Sequence, residues 1–431
     1  MPFTFRQTVP LVASRSFYQI GRVRYRLVRT ITHAVDPTRV APQNATVISA
    51  ALRYPDLVGP AEVRRYHEEG YLLLRGVLDP DAELARLRDA YVVLMDHLGE
   101  CFLRAANSPY LEGFADRPMP ERFGVALGAS GGEFLDHLDP ALRAGSSDYR
   151  FRADLPTAQI PELFALMRAP ALLDALEPLL GAEIEVAPGY HVNHKLGSSQ
   201  LELTRAAAAA AGREIFHEAG YHSWHVLQTP WHADVPWLLA DGRRTPVVTA
   251  WIPTTEATVS NGALMVVPGS HRQGIRMAPF PEEELQRGIA LETEPGDVIL
   301  FDNKLLHASA PIRDANSFRW AFNFRYLPAG QANGRPYLPG FLARSTANPE
   351  RVFSDPRLWA AMWRAALLAA TQYAQRVPSA ATTGLHEARA FSKRWRELTA
   401  DPEGWQELDD KRVWDFPARW WGRVQDRLGL G

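Results

Sequence analysis

Cysteine is almost absent from this sequence: Cys101 is the single one among 431 residues. That excludes an internal disulfide framework and any zinc or iron–sulfur site built from several thiolates, and it agrees with a reducing, cytoplasmic setting. An excess of charge of one sign is missing too. Lys+Arg of 47 against Asp+Glu of 49 leave a formal net charge of -2, so no global field draws the chain to nucleic acid or to an anionic membrane surface. No stretch reaches the roughly eighteen apolar residues of a membrane span. Internal repeats, a phosphate-binding glycine loop between strand and helix, and a nucleophilic-serine elbow are all lacking, which leaves nucleotide-dependent and serine-hydrolase readings without support. The expectation is a globular cytoplasmic protein acting on a small molecule, with neither a nucleic-acid partner nor a membrane span.

What the chain does have is core-forming material, with 46% hydrophobic residues and 10% aromatics. Residues 1–35 carry Arg6, Arg15, Arg22, Arg24, Arg26 and Arg29 with no acid before Asp36. This resembles an organelle transit peptide, but Pro10 interrupts an amphipathic helix and arginine is frequent throughout. Residues 1–55 therefore read as a basic N-terminal extension. From Gly59 the pattern predicts a helix ending at Gly70, a strand Tyr71–Leu74, and a helical segment Asp81–Leu98. Between Gly181 and Tyr326, β-rich runs alternate with Gly/Pro turns: AEIEVA, YHVNHKL, VVTAWIP, ALMVVPG, PGDVILF and RWAFNFRY. Many short strands of this kind predict a sandwich or jelly-roll barrel. The polyalanine run Ala206–Ala211, closed by Gly212, predicts a short inserted helix, either on the surface or covering the site. The fold expected is α+β with a mainly β core over residues 56–330, followed by a helical C-terminal extension, 331–431, whose Trp359, Trp363, Trp395, Trp405 and Trp414 are packing residues.

Chemistry concentrates in TPWHADVPW, residues 229–237. His232 and Asp234 are two apart, so an extended strand points both to one face. A histidine and a carboxylate are two members of the facial triad that holds iron(II) with open positions, and the third member should be a histidine. His307, 73 residues after Asp234 in PGDVILFDNKLLHASAPI, supplies it. Twelve residues later Arg319 heads the alternating strand RWAFNFRY. Arg319, Ala321, Asn323 and Arg325 share one face, and two charges there are costly unless the face lines a wet or ligand-filled interior. A dicarboxylate co-substrate would satisfy one of them through the guanidinium fork. Arg325 lies roughly 20 Å further on at about 3.4 Å per residue. It cannot grip the same carboxylate, and is either structural or at the barrel's other end.

At this point the sequence resembles the phytanoyl-CoA dioxygenase family of iron(II)/2-oxoglutarate oxygenases. The likeness covers about residues 60–330 and rests on GYLLLRGVL, on WHAD, on TAWIPTTEATVSNGALMVVPGSH, and on PGDVILFDNKLLHAS followed by FRW. It implies a double-stranded β-helix, a jelly-roll or cupin-like barrel flanked by helices, with His232, Asp234 and His307 as ligands of Fe(II). It also implies that Arg319 and Ser309 hold the distal carboxylate of 2-oxoglutarate and that Trp251 lines the co-substrate pocket. The gap from His307 to Arg319 is one residue longer than the family's, and the first 55 and last 100 residues lack a counterpart in the family core. Lys195, on a preceding strand, is a candidate for co-substrate or substrate contact, or else solvent-exposed.

The activity implied is that of a dioxygenase consuming O2 and 2-oxoglutarate, releasing succinate and CO2, and hydroxylating a small organic substrate through an iron(IV)-oxo oxidant; desaturation or cyclisation would start from the same hydrogen abstraction. Related halogenases lack the carboxylate ligand, so Asp234 disfavours halogenation. The family's substrates include acyl thioesters, amino acids, alkaloids and sugars, so the substrate here is either free or tethered to a carrier protein or coenzyme A. A barrel kept only for binding is the rival reading, and complete ligands argue against it. A non-haem iron enzyme that does without 2-oxoglutarate is another, and it would leave Arg319 and Ser309 without a partner. The run FHEAGYHSWH places His217, Tyr221, His222, Trp224 and His225 as substrate-mouth candidates, with its three histidines alternatively binding a metal themselves; HEAGYH is one residue too long for the H-E-x-x-H zinc helix. His271 in PGSH is expected to organise a turn. Trp224, Trp231 and Trp237 favour an organic substrate with apolar surface.

Overall fold

Proline and glycine set the first boundary of the main body. Helix α1 (Pro60–Glu69) has Pro60 in its first turn, the Glu62 carboxylate accepting the Gly59 N–H at 3.0 Å, and Gly70 closing it at φ 85°. That left-handed φ favours glycine, and so does space, since a Cβ there would lie 2.5 Å from His271 Nδ1. His271 Nε2 donates to the His67 carbonyl at 3.1 Å, so the PGSH turn is tied to α1. The computed structural model describes residues 52–53, 57–139, 156–216, 221–235, 242–333 and 339–363.

The strands form two sheets. The larger runs in the order β1 (Leu52–Arg53), β2 (Tyr71–Arg75), β8 (Val298–Asp302), β5 (Val248–Pro253), β10 (Phe318–Pro328), β3 (Glu183–Val186) and β11 (Phe341–Ser345), with β4 (His191–Leu196) also on β10. All of its pairings are antiparallel except β1 with β2. The smaller sheet has the order β7 (Ile289–Leu291), β6 (Leu264–Val266), β9 (His307–Ser309). The pattern of short strands thus corresponds to a mixed helix and antiparallel-sheet fold. Strands β7, β9 and β11 lie outside the runs read as strands in the sequence. The sheet also continues past residue 330, because β11 pairs with β3, and residues 52–53 of the N-terminal extension join its other edge.

Period-two alternation divides the apolar residues between two cores. Trp320, Phe322, Phe324 and Tyr326 of β10 join Leu72 and Leu74 of β2 in a core that includes Leu87, Tyr91 and Met95 of α2 (Ala85–Ala105). Tyr71 and Leu73 point the other way, into a second core where Trp251, Phe301 and Ala321 of the larger sheet meet Leu264, Met265 and Ala308 of the smaller. Beyond the sheet, Trp359 and Trp363 are buried and pack near Tyr190, with Trp359 also against Phe341. Trp395, Trp405, Trp414 and the arginine-rich residues 1–35 lie outside the described residues.

The polyalanine segment is a surface helix rather than a lid, with Ala206, Ala209 and Ala210 exposed and its other face packed inward. It forms the second half of α7 (Ser198–Ala210), which packs on α3 (Met119–Ala129) through small residues. A Cβ on Gly128 would lie 2.2 Å from the Thr204 carbonyl oxygen and 2.9 Å from Ala207 Cβ, so the two backbones approach too closely for any side chain. Gly128→Ala is expected to destabilise the protein by about 1–3 kcal/mol, the usual cost of overpacking. Denaturant unfolding at an unchanged m-value would show it; an unchanged midpoint would mean that the helices separate freely.

Candidate active site

His232 and His307 face each other across a single antiparallel bridge. The His232 N–H donates to the His307 carbonyl at 3.0 Å, and the His307 N–H returns the bond at 2.9 Å. The bridge, rather than the longer strand expected around His232, sets the two rings side by side with centroids 4.1 Å apart. Asp234, two residues on, comes to the same side. One donor atom from each of the three lies within 4.8 Å of the others.

Backbone carbonyls fix which ring nitrogen faces the cluster. His232 Nδ1 donates to the Pro230 carbonyl at 2.9 Å and His307 Nδ1 to the Leu305 carbonyl at 3.1 Å. A carbonyl only accepts, so Nδ1 carries the proton in both rings and Nε2 keeps its lone pair, the form in which imidazole ligates a metal.

The carboxylate is held as firmly. Asp234 Oδ2 accepts from Arg325 Nη2 at 2.9 Å, Arg325 Nε at 3.2 Å and Thr249 Oγ1 at 3.3 Å. Its Oδ1 lies 3.9 Å from His232 Nε2. Arg325 therefore does not sit apart at the barrel's other end: the strand is long enough to keep it away from Arg319, but its side chain turns to Asp234. Burial raises the Asp234 carboxyl, yet Arg325 and the two histidines outweigh it and hold the group below the usual carboxylate range. His232 is lowered to about 3 by burial and by His307 beside it.

These shifts predict an acid-sensitive metal-free protein. Because the folded His232 value lies below the ordinary 6.5, its contribution to stability is present above that value and lost as pH falls toward about 3. Asp234 adds to the loss below its ordinary 3.8. The unfolding midpoint of the metal-free protein is expected to drop across this window, and His232→Gln should make the slope shallower; an unchanged slope would show that the histidine is solvated.

The pocket that holds this cluster is also lined by Arg319, Ser309, Thr229, Trp251 and Leu264. Arg319 is buried. Its Nη2 donates to the Gly262 carbonyl at 2.7 Å while Nε and Nη1 have no partner, and its guanidinium lies 5.4 Å from the Trp251 ring centroid. Burial pushes Arg319 down to about 9. Ser309 Oγ accepts the Thr229 N–H at 2.7 Å, which leaves its own proton to donate. Lys195 is buried, not solvent-exposed. Paired in register with Arg319, it donates its Nζ to the Trp224 carbonyl and to Thr229 Oγ1, behind the lining rather than in it.

An orphaned buried guanidinium beside a serine hydroxyl fits an incoming carboxylate, because it leaves two N–H donors that only an anion or carbonyl would satisfy. Two imidazole lone pairs and one carboxylate oxygen likewise fit iron(II).

On the remaining wall lie Trp224, His225, His191, Asn193, Asn323 and Arg325. Trp224 and His225 come from α8 (Tyr221–Val226). The side chains of Tyr221 and His222, and residues His217 and Trp237, lie outside the described residues; Trp231 is buried in the core between the sheets. His191, Asn193 and the partners of Asp234 were missed by the sequence reading. The signal was present, since HVNHKL alternates His191, Asn193 and Lys195 opposite Asn323, Ala321 and Arg319.

The family model of phytanoyl-CoA dioxygenase matches residues 66–319. Ectoine dioxygenase of Sphingopyxis alaskensis is 29% identical over 219 residues, covering 43% of this chain. The chain spans only 62% of that relative's length. 1-Deoxypentalenic acid 11-beta-hydroxylase of Streptomyces exfoliatus is 24% identical over 293 residues, covering 63% of this chain and 82% of the relative. Among solved structures, EctD from S. alaskensis with 2-oxoglutarate and 5-hydroxyectoine is 22% identical and covers 69% of this chain and 82% of its own, with a TM-score of 0.39.

Proposed function

The chain belongs to the phytanoyl-CoA dioxygenase family, and from that premise we propose that it is an iron(II)- and 2-oxoglutarate-dependent oxygenase that hydroxylates a small organic molecule on a double-stranded β-helix scaffold. The observation that carries this reading is the pairing, in one pocket, of the His232/Asp234/His307 cluster with the unpartnered Nε and Nη1 of Arg319. The first accounts for a metal and the second for a dicarboxylate bound beside it.

In this reading His232, Asp234 and His307 hold iron, Arg319 and Ser309 hold the far carboxylate of 2-oxoglutarate, and Trp251 packs along it. Bound iron and oxo-acid together would supply the oxidising power to break an unactivated C–H bond; the protein supplies position and exclusion. The Pro230 and Leu305 carbonyls keep both imidazoles in the ligating tautomer. Arg325 and Thr249 occupy Asp234 Oδ2 and so turn Oδ1 toward the cluster. Lys195 fixes the Trp224 carbonyl and the Thr229 hydroxyl, and Thr229 in turn fixes Ser309. The other wall mixes Trp224, Ala187 and Val247 with Asn193 and Asn323, which suits a substrate with both apolar surface and hydrogen-bonding groups.

The test is anaerobic loading with iron(II) and 2-oxoglutarate, followed by oxygen and quantification of succinate. Succinate formed in step with 2-oxoglutarate consumed is expected; an iron-loaded protein that does not bind 2-oxoglutarate would overturn the reading. Product analysis should show no chlorinated species, because Asp234 would supply the carboxylate ligand whose place a halide would need.

A further inference from the structure

A second cluster of the same donor types lies in the structure and has no part in the reading above. Asp139 caps the C-terminus of α4 (Glu133–Leu138), His191 opens β4 and His225 lies in the last turn of α8. One donor atom from each lies within 4.8 Å of the others. Asp139 Oδ2 is 3.1 Å from His191 Nδ1 and 3.6 Å from His225 Nδ1, with the two ring centroids 5.2 Å apart. Asp139 is 1% exposed, and both histidines line the pocket that holds His232, Asp234 and His307.

We propose that Asp139, His191 and His225 form a second metal site, for a zinc-class divalent cation, whose remaining coordination position faces the substrate side of the pocket. Asp139 Oδ2 accepts the Val192 N–H at 2.9 Å and lies 3.1 Å from His191 Nδ1. The second contact, from Oδ2 to His225 Nδ1, is 3.6 Å. The same spacings suit ligands sharing an ion. Tetrahedral arms of about 2.0–2.1 Å put neighbouring ligand atoms about 3.3 Å apart, and the observed 3.1 and 3.6 Å bracket that value.

Two imidazoles and one carboxylate select a transition metal of the zinc class over calcium or magnesium, which take oxygen ligands. The Val192 N–H supplies the outer-layer bond that orients the carboxylate. With three protein ligands and an open fourth position, the ion would hold a carboxylate, carbonyl or hydroxyl oxygen of the substrate. The site stands or falls separately from the oxygenase assignment, because its ligands are different residues.

The experiment is a zinc(II) titration of the full-length, chelator-stripped protein, with bound metal counted by elemental analysis after dialysis. The parent is expected to retain two equivalents, Asp234→Ala one, Asp139→Asn one, and the double variant none. His191→Ala, checked with Asp139→Asn for native circular dichroism, guards against misfolding and should also retain one. Cobalt(II) offers a second readout, since the intense d–d bands of a tetrahedral ion should persist in Asp234→Ala and vanish in Asp139→Asn. A parent that retains a single equivalent, or an Asp234→Ala variant that retains none, would overturn the second site and leave Asp139 as a hydrogen-bond acceptor only.

Discussion

Asp234→Ala is expected to lower iron affinity by more than about 100-fold and to abolish succinate formation, since loss of outer-layer partners alone costs about 10–100-fold. The variant removes one of the three proposed ligands and also breaks a buried ion pair. Arg325 and Asp234 have side-chain exposures of 11% each, with Nη2 and Oδ2 at 2.9 Å. Without the carboxylate, Arg325 keeps only its 2.8 Å bond to the Gly189 carbonyl. Breaking such a pair costs about 3–5 kcal/mol, so lost activity in this variant alone would be ambiguous. Asp234→Asn separates the two effects because it keeps the volume and an oxygen for Arg325 while removing the charge that iron needs. Both variants should fail to retain iron, measured by chelator competition, but only the alanine should lose several degrees in unfolding midpoint. Retention of iron by the asparagine variant at parental affinity would remove Asp234 from the ligand set.

The legible part of this site followed strand alternation and spacing. Arg319 on the polar face of β10 is a local pattern that a strand imposes whatever it packs against, and His232 and Asp234, two residues apart, come to one side although an isolated bridge and not a strand carries His232. What stayed hidden depended on partners distant in sequence. Arg325 was discounted because strand length separates it from Arg319, but the residue that claims it is Asp234, 91 positions away in the chain. Asp139 lies 52 residues before His191, at the end of a helix that the sequence analysis did not single out. Strands β7 and β9 have three residues each, too few to display a period, and β9 carries His307. What the polyalanine helix packs against was hidden for a related reason. Alanine signals helix propensity, but its use against α3 is set by Gly124 and Gly128 some 80 residues earlier, which let the backbones close.

Arg319→Met should weaken 2-oxoglutarate binding by about 10²–10⁴-fold, from about 1.5–3 kcal/mol for each of two charge-assisted hydrogen bonds. Iron affinity should be nearly unchanged, because Arg319 does not touch the metal cluster. Anaerobic binding to the iron-loaded protein, followed by the absorption of the iron–oxo-acid complex, measures this directly. Arg319→Lys should recover only part of the loss, since a point charge does not reproduce the fork. The same substitution is expected to leave the ligand-free protein at least as stable as the parent. Lys195 lies opposite Arg319 in register and both are buried; burial and then Arg319 hold the lysine well below its ordinary value, and burial lowers the arginine. Two buried cations side by side repel, and with Nε and Nη1 unpartnered the arginine is desolvated without full compensation. Removing it therefore relieves strain that only a bound anion would otherwise offset, and stability and co-substrate affinity should move in opposite directions. A methionine variant that unfolds earlier than the parent while still binding 2-oxoglutarate would mean that Arg319 is a structural residue, with its carboxylate-binding role carried elsewhere.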